Sequence, residues 1–304
     1  MLKFMQITEN RITDGSDAQC PIHLFIIPDE KEKKHLMEER KIDEHTLNSA
    51  LDPNEPARIE FSVDHTALIF KRPRRYSPTD NFLFGISSVG LFLFKDNLTI
   101  VLAEEIPLFE GRQFLRVGSL QDILLRVVYR SIFHFEEHLK VINMCSDDLE
   151  KEINTAMENK TLLNLFTLEK SLVYYLNAIG SNGRIIEKLR LNPTKMGLSP
   201  EHLELLDDIA IENSQCYEQA KIYSEVLSGL MDARVSVVSN NLNVLMKTLN
   251  IIMISLMVPT LWVSIFSMNL VIPFANNTRM FWFVVSTAAC LPIIIMLIRK
   301  FKKI

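Results

Sequence analysis

Two long stretches without a charged residue lie near the C-terminal end of the chain. No Asp, Glu, Lys or Arg occurs between Lys247 and Arg279 or between Arg279 and Arg299, and the two stretches contain the apolar segments 249–266 and 280–298. A hydrocarbon layer of about 30 Å needs roughly 20 apolar residues at a rise of about 1.5 Å each, so both segments are long enough to cross it. Buried core helices are the alternative, but such helices usually carry a charge on an outer face. The sequence therefore predicts two transmembrane helices.

The uneven distribution of charge predicts how these helices are oriented. The first 247 residues hold all 37 acidic residues and 28 of the 33 Lys and Arg, a net charge of −9, whereas the last 57 carry +5. Basic residues lie at Lys247 and in the tail 299–304, while the loop between the apolar segments has only Arg279. Since Lys and Arg collect on the cytoplasmic side, we expect a multi-pass protein of the cell (inner) membrane with both termini cytoplasmic. The chain opens without the pattern of a signal peptide.

Several classes of function are disfavoured by motifs that the sequence lacks. Only 9 glycines occur, with no phosphate-binding glycine loop and no Gly-x-Ser-x-Gly turn, so neither an ATP-driven pump nor a membrane hydrolase is expected. The 4 cysteines form no Cys-x-x-Cys pair, which fits a reducing compartment. We predict a protein that is not an enzyme, has no resident cofactor and binds no nucleic acid.

One short cluster has the spacing of a metal site. His134 and His138 are four residues apart, which can hold zinc on one face of a helix. The order His-Glu-x-x-His is not present, because Phe135 follows the first histidine. The neighbouring residues are charged and helical, so a solvated helix face is the favoured interpretation.

The N-terminal part has the pattern of a mixed α/β domain. Alternating or β-rich runs occur at 22–27, 58–63, 67–71 and 84–94, separated by Pro, Asp, Asn and Gly. The charged, glycine-free segment 30–47 predicts a pair of helices.

Helical patterns replace this mixture from Ser119 onward. Ser119, with Asp122 three residues later, predicts a capped helix that continues to about residue 158, and a second helix follows over 161–191. Ser199-Pro200 is a strong start signal for a third helix, which meets no proline before Pro259 and so continues into the first apolar segment. The predicted segments are a cytoplasmic α/β domain (1–118), a cytoplasmic helical hairpin (119–198), a stalk helix (199–247), transmembrane helix 1 (248–268), an external loop (269–279), transmembrane helix 2 (280–298) and a basic cytoplasmic tail (299–304).

The stalk helix carries a face that repeats every 3.5 residues or so, from Leu206 to Val244. Nine of its twelve positions are apolar, and the polar ones are Asn213, Arg234 and Asn241. Such a face is typical of a coiled-coil-like contact. Its polar positions either fix the register of the contact or line water.

Several motifs along the stalk helix and the first span resemble one known family. They are Ser228-Gly229-Leu230-Met231-Asp232, the run from Ser239 to Lys247, Val258-Pro259-Thr260 and Ser267-Met268-Asn269, together with Leu51 to Glu60 before a strand of the N-terminal domain. On these residues the chain resembles the CorA-type divalent-cation transporters over essentially its whole length. Two spans at the C-terminal end, a long stalk helix and a basic tail complete the pattern.

This resemblance implies an α+β membrane protein that assembles as a funnel-shaped homopentamer. The first span of each subunit lines a central pore, the second span faces lipid, and Asn269 contributes to an amide ring at the outer mouth that meets the hydrated cation. The implied residues are Ser267, Met268 and Asn269 at the pore mouth, Asn243, Met246, Leu249, Met257 and Thr260 along the pore, and a basic collar of Arg299, Lys300, Lys302 and Lys303 at the inner side. Amide and hydroxyl oxygens suit Mg²⁺, which gives up its waters reluctantly.

The sequence departs from the family pattern in three places. Ser267 replaces the glycine of the Gly-Met-Asn signature, a residue that permits a tight turn, and the external loop carries no acid. The family's regulatory site pairs a stalk carboxylate with a carboxylate of a neighbouring subunit. Asp208, beside Asp207, matches the stalk position, but the partner position falls at Asn48-Ser49, which supplies no charge. We therefore expect weaker capture of cations from outside and weaker gating by internal Mg²⁺.

The leading functional prediction is passive transport of Mg²⁺, or a similar ion such as Co²⁺ or Ni²⁺, into the cytoplasm through a pentameric pore, driven by the membrane potential. Its partners are divalent cations, membrane lipid and further copies of the chain, and Mg²⁺ is the cargo and a candidate regulatory ion. One alternative is a membrane-anchored pentameric sensor or scaffold with little conduction, suggested by Ser267 and the acid-free loop. Another is transport of zinc or a related metal, although the predicted pore face contains no His or Cys, which such metals prefer.

Overall fold

The computed structural model describes residues 1–17, 19–77, 81–155, 159–268 and 278–302. The chain divides into two compact units, Met1–Met231 and Asp232–Ile304. The first unit is a sheet covered by helices on both faces. The second holds the apolar helical segments.

The first unit is built around a mixed sheet of seven strands. Their order is β2-β1-β3-β7-β6-β5-β4, with β3 and β7 parallel and every other pair antiparallel. The strands are β1 (Leu2–Thr8), β2 (Arg11–Asp14), β3 (Ile22–Ile26), β4 (Arg58–Phe61), β5 (His65–Pro73), β6 (Ile86–Phe94) and β7 (Leu98–Leu102). Central strands are apolar on both faces because both faces are buried.

Each face of the sheet packs against its own set of helices. Along β5, Leu68 and Phe70 belong to one core cluster while Ala67 and Ile69 belong to the other. The smaller cluster packs under α1 (Glu30–Glu38) and α2 (Glu44–Leu51), and the larger one under the long helices that follow the sheet. At Gly90 of β6, an added Cβ would lie 2.6 Å from the Cβ of Ala50, so α2 can approach the strand this closely only at a glycine.

The remaining helices follow in sequence. They are α3 (Leu120–Thr155), α4 (Asn159–Leu191), the short α5 (Pro193–Met196), α6 (Pro200–Phe266) and α7 (Thr278–Lys302). The predicted caps are confirmed, since the backbone N–H of Asp122 donates to Ser119 Oγ at 3.1 Å and that of His202 donates to Ser199 Oγ at 3.3 Å. The helix pair predicted over 30–47 is also confirmed, although α2 extends to Leu51.

Three strands were not predicted from the sequence. The hairpin of β1 and β2 turns at Glu9 and Asn10, both with positive φ (51° and 59°), and β7 follows β6 after a short turn. A two-residue hairpin turn whose central residues both have the left-handed backbone conformation usually contains glycine, and this turn has none. The four predicted strands are confirmed as β3, β4, β5 and β6 with shifts of a few residues at their ends.

The solvated interpretation of the histidine pair is wrong. His138 is buried and its Nδ1 lies 2.7 Å from the hydroxyl of Tyr175 on α4, while His134 is half-buried and its Nδ1 lies 3.2 Å from Arg72 Nη2. Burial lowers the pKa of His134 to about 3 and that of His138 to about 4, assisted by the positive charge of Arg72. Both rings are therefore neutral packing residues at pH 7.

The first half of the repeating face on α6 packs within its own chain. Leu206, Ile209, Cys216 and Leu227 are buried in the larger core cluster. Asn213, also buried, donates from Nδ2 to the carbonyl of Ile179 on α4 at 3.3 Å. The coiled-coil-like face over 206–227 therefore covers α4 and the core of the first unit.

Among the described residues, α6 contains an 18-residue window that is long and apolar enough to cross a membrane. Helix α7 is apolar as well, but its described side chains reach only from Thr278 to Ile294, which is shorter than that window. Both predicted apolar segments are helical. These statements concern length and composition alone.

Candidate functional site

The C-terminal part of α6 has one face that packs against α7. Ser255 is buried, and Ile251, Trp262 and Phe266 are half-buried on the same face. Trp262 Nε1 donates to Thr287 Oγ1 of α7 at 2.8 Å, which fixes the rotation of the two helices about each other at this level. A tryptophan N–H in apolar surroundings needs such an acceptor.

The predicted pore residues lie on the opposite face of α6. Met257 follows Ser255 by two residues and Thr260 precedes Trp262 by two, and each such step turns about 200° around the helix axis. The side chains of this set are all exposed in the single chain: Asn243, Met246, Leu249, Met257 and Thr260. The packing of α6 on α7 thus leaves this face, with its mixture of polar groups and methionines, available to a further partner or to water.

Hydroxyl groups along this helix bond to their own backbone. Thr260 Oγ1 donates to the carbonyl of Leu256, and Ser267 Oγ donates to that of Val263 at 3.0 Å. Such bonds satisfy the donor within an apolar medium while leaving oxygen lone pairs exposed.

Ser267 does not need the conformational freedom of glycine. Its N–H donates to the carbonyl of Ser264 at 3.1 Å in a turn that directly follows α6. The described non-glycine residues with positive φ do not include Ser267. A serine side chain is therefore accommodated at this turn without strain in the backbone.

Part of the predicted pore mouth and collar lies outside the described residues. Met268 is described and exposed, whereas Asn269 and the loop after it are not. The backbones of Arg299, Lys300 and Lys302 lie in α7 but their side chains are not described, and Lys303 falls outside the described residues. Their predicted roles stay predictions.

The two stalk carboxylates have different surroundings. Asp207 Oδ1 accepts a hydrogen bond of 2.8 Å from Nε of Arg190 on α4, and the same guanidinium donates from Nη1 to Glu187 at 2.9 Å. Asp208 is exposed and has no salt bridge with a described residue. Asp207 is thus partly neutralised within the chain, and Asp208 is the freer oxygen donor.

A pair of carboxyl groups near Asp208 was not predicted from the sequence. Glu136 of α3 and Glu212 of α6 lie within hydrogen-bonding reach, and burial together with Glu212 raises the pKa of Glu136. Tyr129 has a raised pKa for similar reasons, since it is partly buried and lies near Glu212, Glu136 and Asp208. The described residues contain no group of three or more His, Cys, Asp or Glu arranged to hold a metal. Spacing along α6 relates Asp208 to Glu212, but only the packing of α3 brings Glu136 beside them.

The proposed partner position of the stalk carboxylate lies on α2. Asn48 is exposed, whereas Ser49 is buried and its Oγ donates to the carbonyl of His45 at 2.8 Å. Only Asn48 therefore offers an accessible oxygen at this position.

Comparison with known proteins identifies the family. The family model described as CorA-like Mg²⁺ transporter protein matches residues 23–303. The cobalt/magnesium transport protein CorA of Methanocaldococcus jannaschii is 25% identical over 272 residues, covering 85% of this chain and 83% of that protein. The CorA of Thermotoga maritima is 26% identical over 234 residues, covering 73% and 65%.

The fold is shared with a solved transporter. The complete structure of the CorA magnesium transporter from Methanocaldococcus jannaschii superposes with a TM-score of 0.80 at 21% identity, covering 98% of this chain and 96% of that one. The architecture of an N-terminal α/β domain, a long helix and a C-terminal apolar pair is therefore the CorA fold. Because the family model matches nearly the whole length, the chain belongs to the CorA-like Mg²⁺ transporter family.

Proposed function

We propose that this protein carries Mg²⁺, and related ions such as Co²⁺ and Ni²⁺, passively into the cytoplasm through a pore formed by five copies of the chain. The observation that carries the proposal is the exposed face of α6 opposite α7, where Asn243 and Thr260 alternate with methionines inside or beside an apolar helix. Polar groups in a membrane span mark a pathway, because lipid leaves them unsatisfied. The names of the two CorA relatives, both cobalt/magnesium transport proteins, support the cargo.

In an assembly of five copies, the exposed face of each α6 can meet the same face of the other copies. If α6 of each copy turns its α7 contact outward, the faces carrying Met257 and Thr260 meet around one axis and enclose a water-filled path. The apolar side chains of Met246, Leu249 and Met257 then narrow the path, and such constrictions gate by excluding water. The Thr260 hydroxyl presents oxygen lone pairs to the passing ion.

The cargo enters with its water shell. Mg²⁺ prefers oxygen ligands in near-octahedral geometry and loses water slowly, so a ring of Asn269 amides that binds the hydrated ion avoids the cost of stripping it. An inward-negative potential supplies about 4.6 kcal/mol per 100 mV to a divalent ion, twice the value for one charge. No bond needs to be made or broken in the protein, in keeping with a family of transporters rather than enzymes.

Charge near the membrane modulates entry and exit. The loop after Asn269 lacks acids, so external capture relies on the amide ring alone. Arg299, Lys300, Lys302 and Lys303 form a basic collar at the cytoplasmic surface, where they bind anionic lipid and repel cations at the inner mouth.

Regulation by internal Mg²⁺ is weak in this proposal. The Arg190 guanidinium already engages Asp207, and a cation would have to displace it to use that carboxylate. Asp208 keeps its oxygens free and can bind Mg²⁺ through water, together with an amide such as that of Asn48 from a neighbouring copy. One carboxylate gives low affinity for a hard divalent ion.

Flux into proteoliposomes tests the proposal. The purified protein is reconstituted, an inward-negative potential is set with a potassium gradient and valinomycin, and uptake of Mg²⁺, Co²⁺, Ni²⁺ and Zn²⁺ is followed with ion-sensitive dyes. We expect potential-dependent uptake of Mg²⁺ that protein-free liposomes do not show. Intact pentamers, verified by crosslinking, that pass no ion favour the sensor or scaffold alternative. Uptake of Zn²⁺ without uptake of Mg²⁺ favours the alternative that the protein transports zinc or a related metal.

A further inference from the structure

A cavity in the first unit is lined by an unusual concentration of arginine. It has a volume of about 220 Å³ and lies between the end of β5, the segment after β7 and α3. Its polar lining comes from Arg72, Arg75, Arg130, Ser131 and His134. Three guanidinium groups around one small space repel each other unless something negative lies between them.

Arg72 is the innermost of the three. Its Nη2 lies 3.2 Å from His134 Nδ1, whereas Nη1 is buried and has no hydrogen-bond partner among the described residues. Burial lowers the pKa of Arg72 to about 10, with Glu104 opposing this shift and Arg130 adding to it. Arg72 is still protonated at pH 7, so a charged donor is left without an acceptor, which costs more than an ordinary lost hydrogen bond.

The other two arginines leave positive charge in the cavity. Arg130 Nη1 donates to Glu137 Oε2 at 3.2 Å, which balances that group in part. Arg75 is exposed and forms no hydrogen bond or ion pair with a described residue. Glu104, whose charge opposes the pKa shift of Arg72, lies 3.8 Å from Nε of Arg74 and does not line the cavity.

We propose that this cavity binds a small phosphate-type anion, either inorganic phosphate or the terminal phosphate or diphosphate of a metabolite. Guanidinium groups present paired N–H donors that match phosphate oxygens, and three of them favour a dianion over a single carboxylate. A space of about 220 Å³ corresponds to roughly seven water molecules at about 30 Å³ each, which is enough for a phosphate or a diphosphate. It is smaller than the usual pocket for a whole drug-sized ligand, so any remaining part of the metabolite lies outside.

Titration calorimetry on the full-length protein in detergent tests this site. Pyrophosphate and, separately, inorganic phosphate are added in a buffer without divalent cations at constant ionic strength. We expect saturable binding at one site per chain, tighter for pyrophosphate than for phosphate. In Arg75→Gln and Arg130→Gln the affinity should fall about tenfold or more, because each variant removes a charged donor from the anion.

Arg74→Gln is the matched control. It removes the same charge one residue away, but Arg74 does not line the cavity. We expect its affinity for pyrophosphate to stay within about twofold of the wild type. Arg75 is exposed, so its replacement leaves the fold intact, which circular dichroism verifies. The proposal is overturned if the wild-type chain shows no saturable binding at millimolar pyrophosphate, or if Arg75→Gln binds as tightly as Arg74→Gln.

Discussion

The two units of the chain use the same apolar residue types in opposite ways. In Met1–Met231 the large aliphatic side chains of the central strands and of α3 are enclosed, and Leu125 is fully buried. In Asp232–Ile304 large aliphatic side chains are exposed, and the exposed fractions of Leu256 and Leu261 are 67% and 66%. A soluble surface does not carry so many exposed apolar groups in one segment. The second unit therefore needs a medium or partners that the single chain does not provide.

The two units also differ in where their polar side chains find hydrogen-bond partners. In the first unit they find partners far along the chain: Lys71, almost fully buried, donates to the carbonyls of Asp52 and Pro53 and to Ser88 Oγ, and its own backbone pairs with Asn182. In the second unit the hydroxyls of Thr248, Thr260 and Ser267 donate to carbonyls one turn earlier. The three hydroxyl donors of the second unit are thus satisfied within one turn of the chain, which suits an apolar medium, whereas the Lys71 side chain depends on tertiary structure for its partners.

The largest expected effect concerns ion flux and the second unit. Asn269→Ala should abolish Mg²⁺ uptake, because it removes the amide oxygen that is predicted to bind the hydrated ion at the pore mouth. The same substitution at Asn276, in the same loop, is the control and should retain uptake. Proteoliposome flux and crosslinking of pentamers are the measurements. Undiminished uptake in Asn269→Ala would show that selectivity resides elsewhere.

Leucine truncation tests the contrast in burial directly. Leu125→Ala should destabilise the first unit by about 2–5 kcal/mol, because it leaves a cavity in a closed core. Leu256→Ala should cost less than about 1 kcal/mol in detergent, since its side chain is exposed.

The chain offers separate signals for the two units in this experiment. Both tryptophans, Trp262 and Trp282, lie in the second unit, and all 6 tyrosines lie in the first. Thermal unfolding can thus be followed by tryptophan emission for the second unit and by the near-ultraviolet circular dichroism of tyrosine for the first. A large loss of stability in Leu256→Ala would mean that Leu256 is enclosed by other copies of the chain rather than by detergent.

A pair of threonine variants separates the two faces of α6. Thr260→Val should lower flux several-fold without altering tryptophan emission, because Thr260 lies on the face opposite α7 and its oxygen is predicted to line the pore. Thr287→Val removes the acceptor of the Trp262 hydrogen bond at 2.8 Å and should change tryptophan emission. If Thr287→Val leaves the emission unchanged while Thr260→Val shifts it, the assignment of the two faces is reversed.

A smaller effect is expected at Ser267. Since its φ lies outside the left-handed region and its hydroxyl is bonded to Val263, Ser267→Gly should leave Mg²⁺ flux within about twofold of the wild type. Initial rates of dye-reported uptake provide the measurement. A marked gain in rate would show that the family's glycine serves conduction here.

The smallest effect is a pH-dependent change of stability in the first unit. The raised pKa of Glu136 means that the folded state holds this proton more tightly than the unfolded state. Its contribution to stability is present below the unfolded pKa and is lost as the pH rises through the folded pKa. Glu136→Gln should therefore raise the midpoint of thermal unfolding by about 1–2 °C at pH 7, with less effect near pH 4.

The exposed Glu150 on the same helix is the control for this substitution. Glu150→Gln should leave the unfolding midpoint unchanged at both pH values. A lower midpoint in Glu136→Gln at pH 7 would mean that the carboxylate is held by a favourable contact and not opposed by Glu212.

Local patterns in the sequence account for much of the fold. The starts of α3 and α6 follow from Ser119 and Ser199, because a capping hydroxyl acts within three residues. The apolar segments 249–266 and 280–298 follow from hydropathy, and α6 runs through Gly229 as expected. The hairpin at Glu9 and Asn10 was missed because its turn lacks the usual glycine.

The sequence alone thus determined where the long helices lie and which segments are apolar enough for a membrane, since caps and hydropathy act over short stretches of chain. Through the family resemblance it also predicted the polar and methionine face of α6. Only the tertiary structure decided that His138 packs on Tyr175, that Arg190 engages Asp207 and that Arg72 meets His134. These partners are 37, 17 and 62 residues apart. These contacts depend on how α3, α4 and α6 pack on each other and on the sheet. No short-range repeat in the sequence specifies that packing. For the same reason, the sequence did not predict which face of α6 packs against α7. The hydrogen bond from Trp262 to Thr287 in the tertiary structure identifies that face.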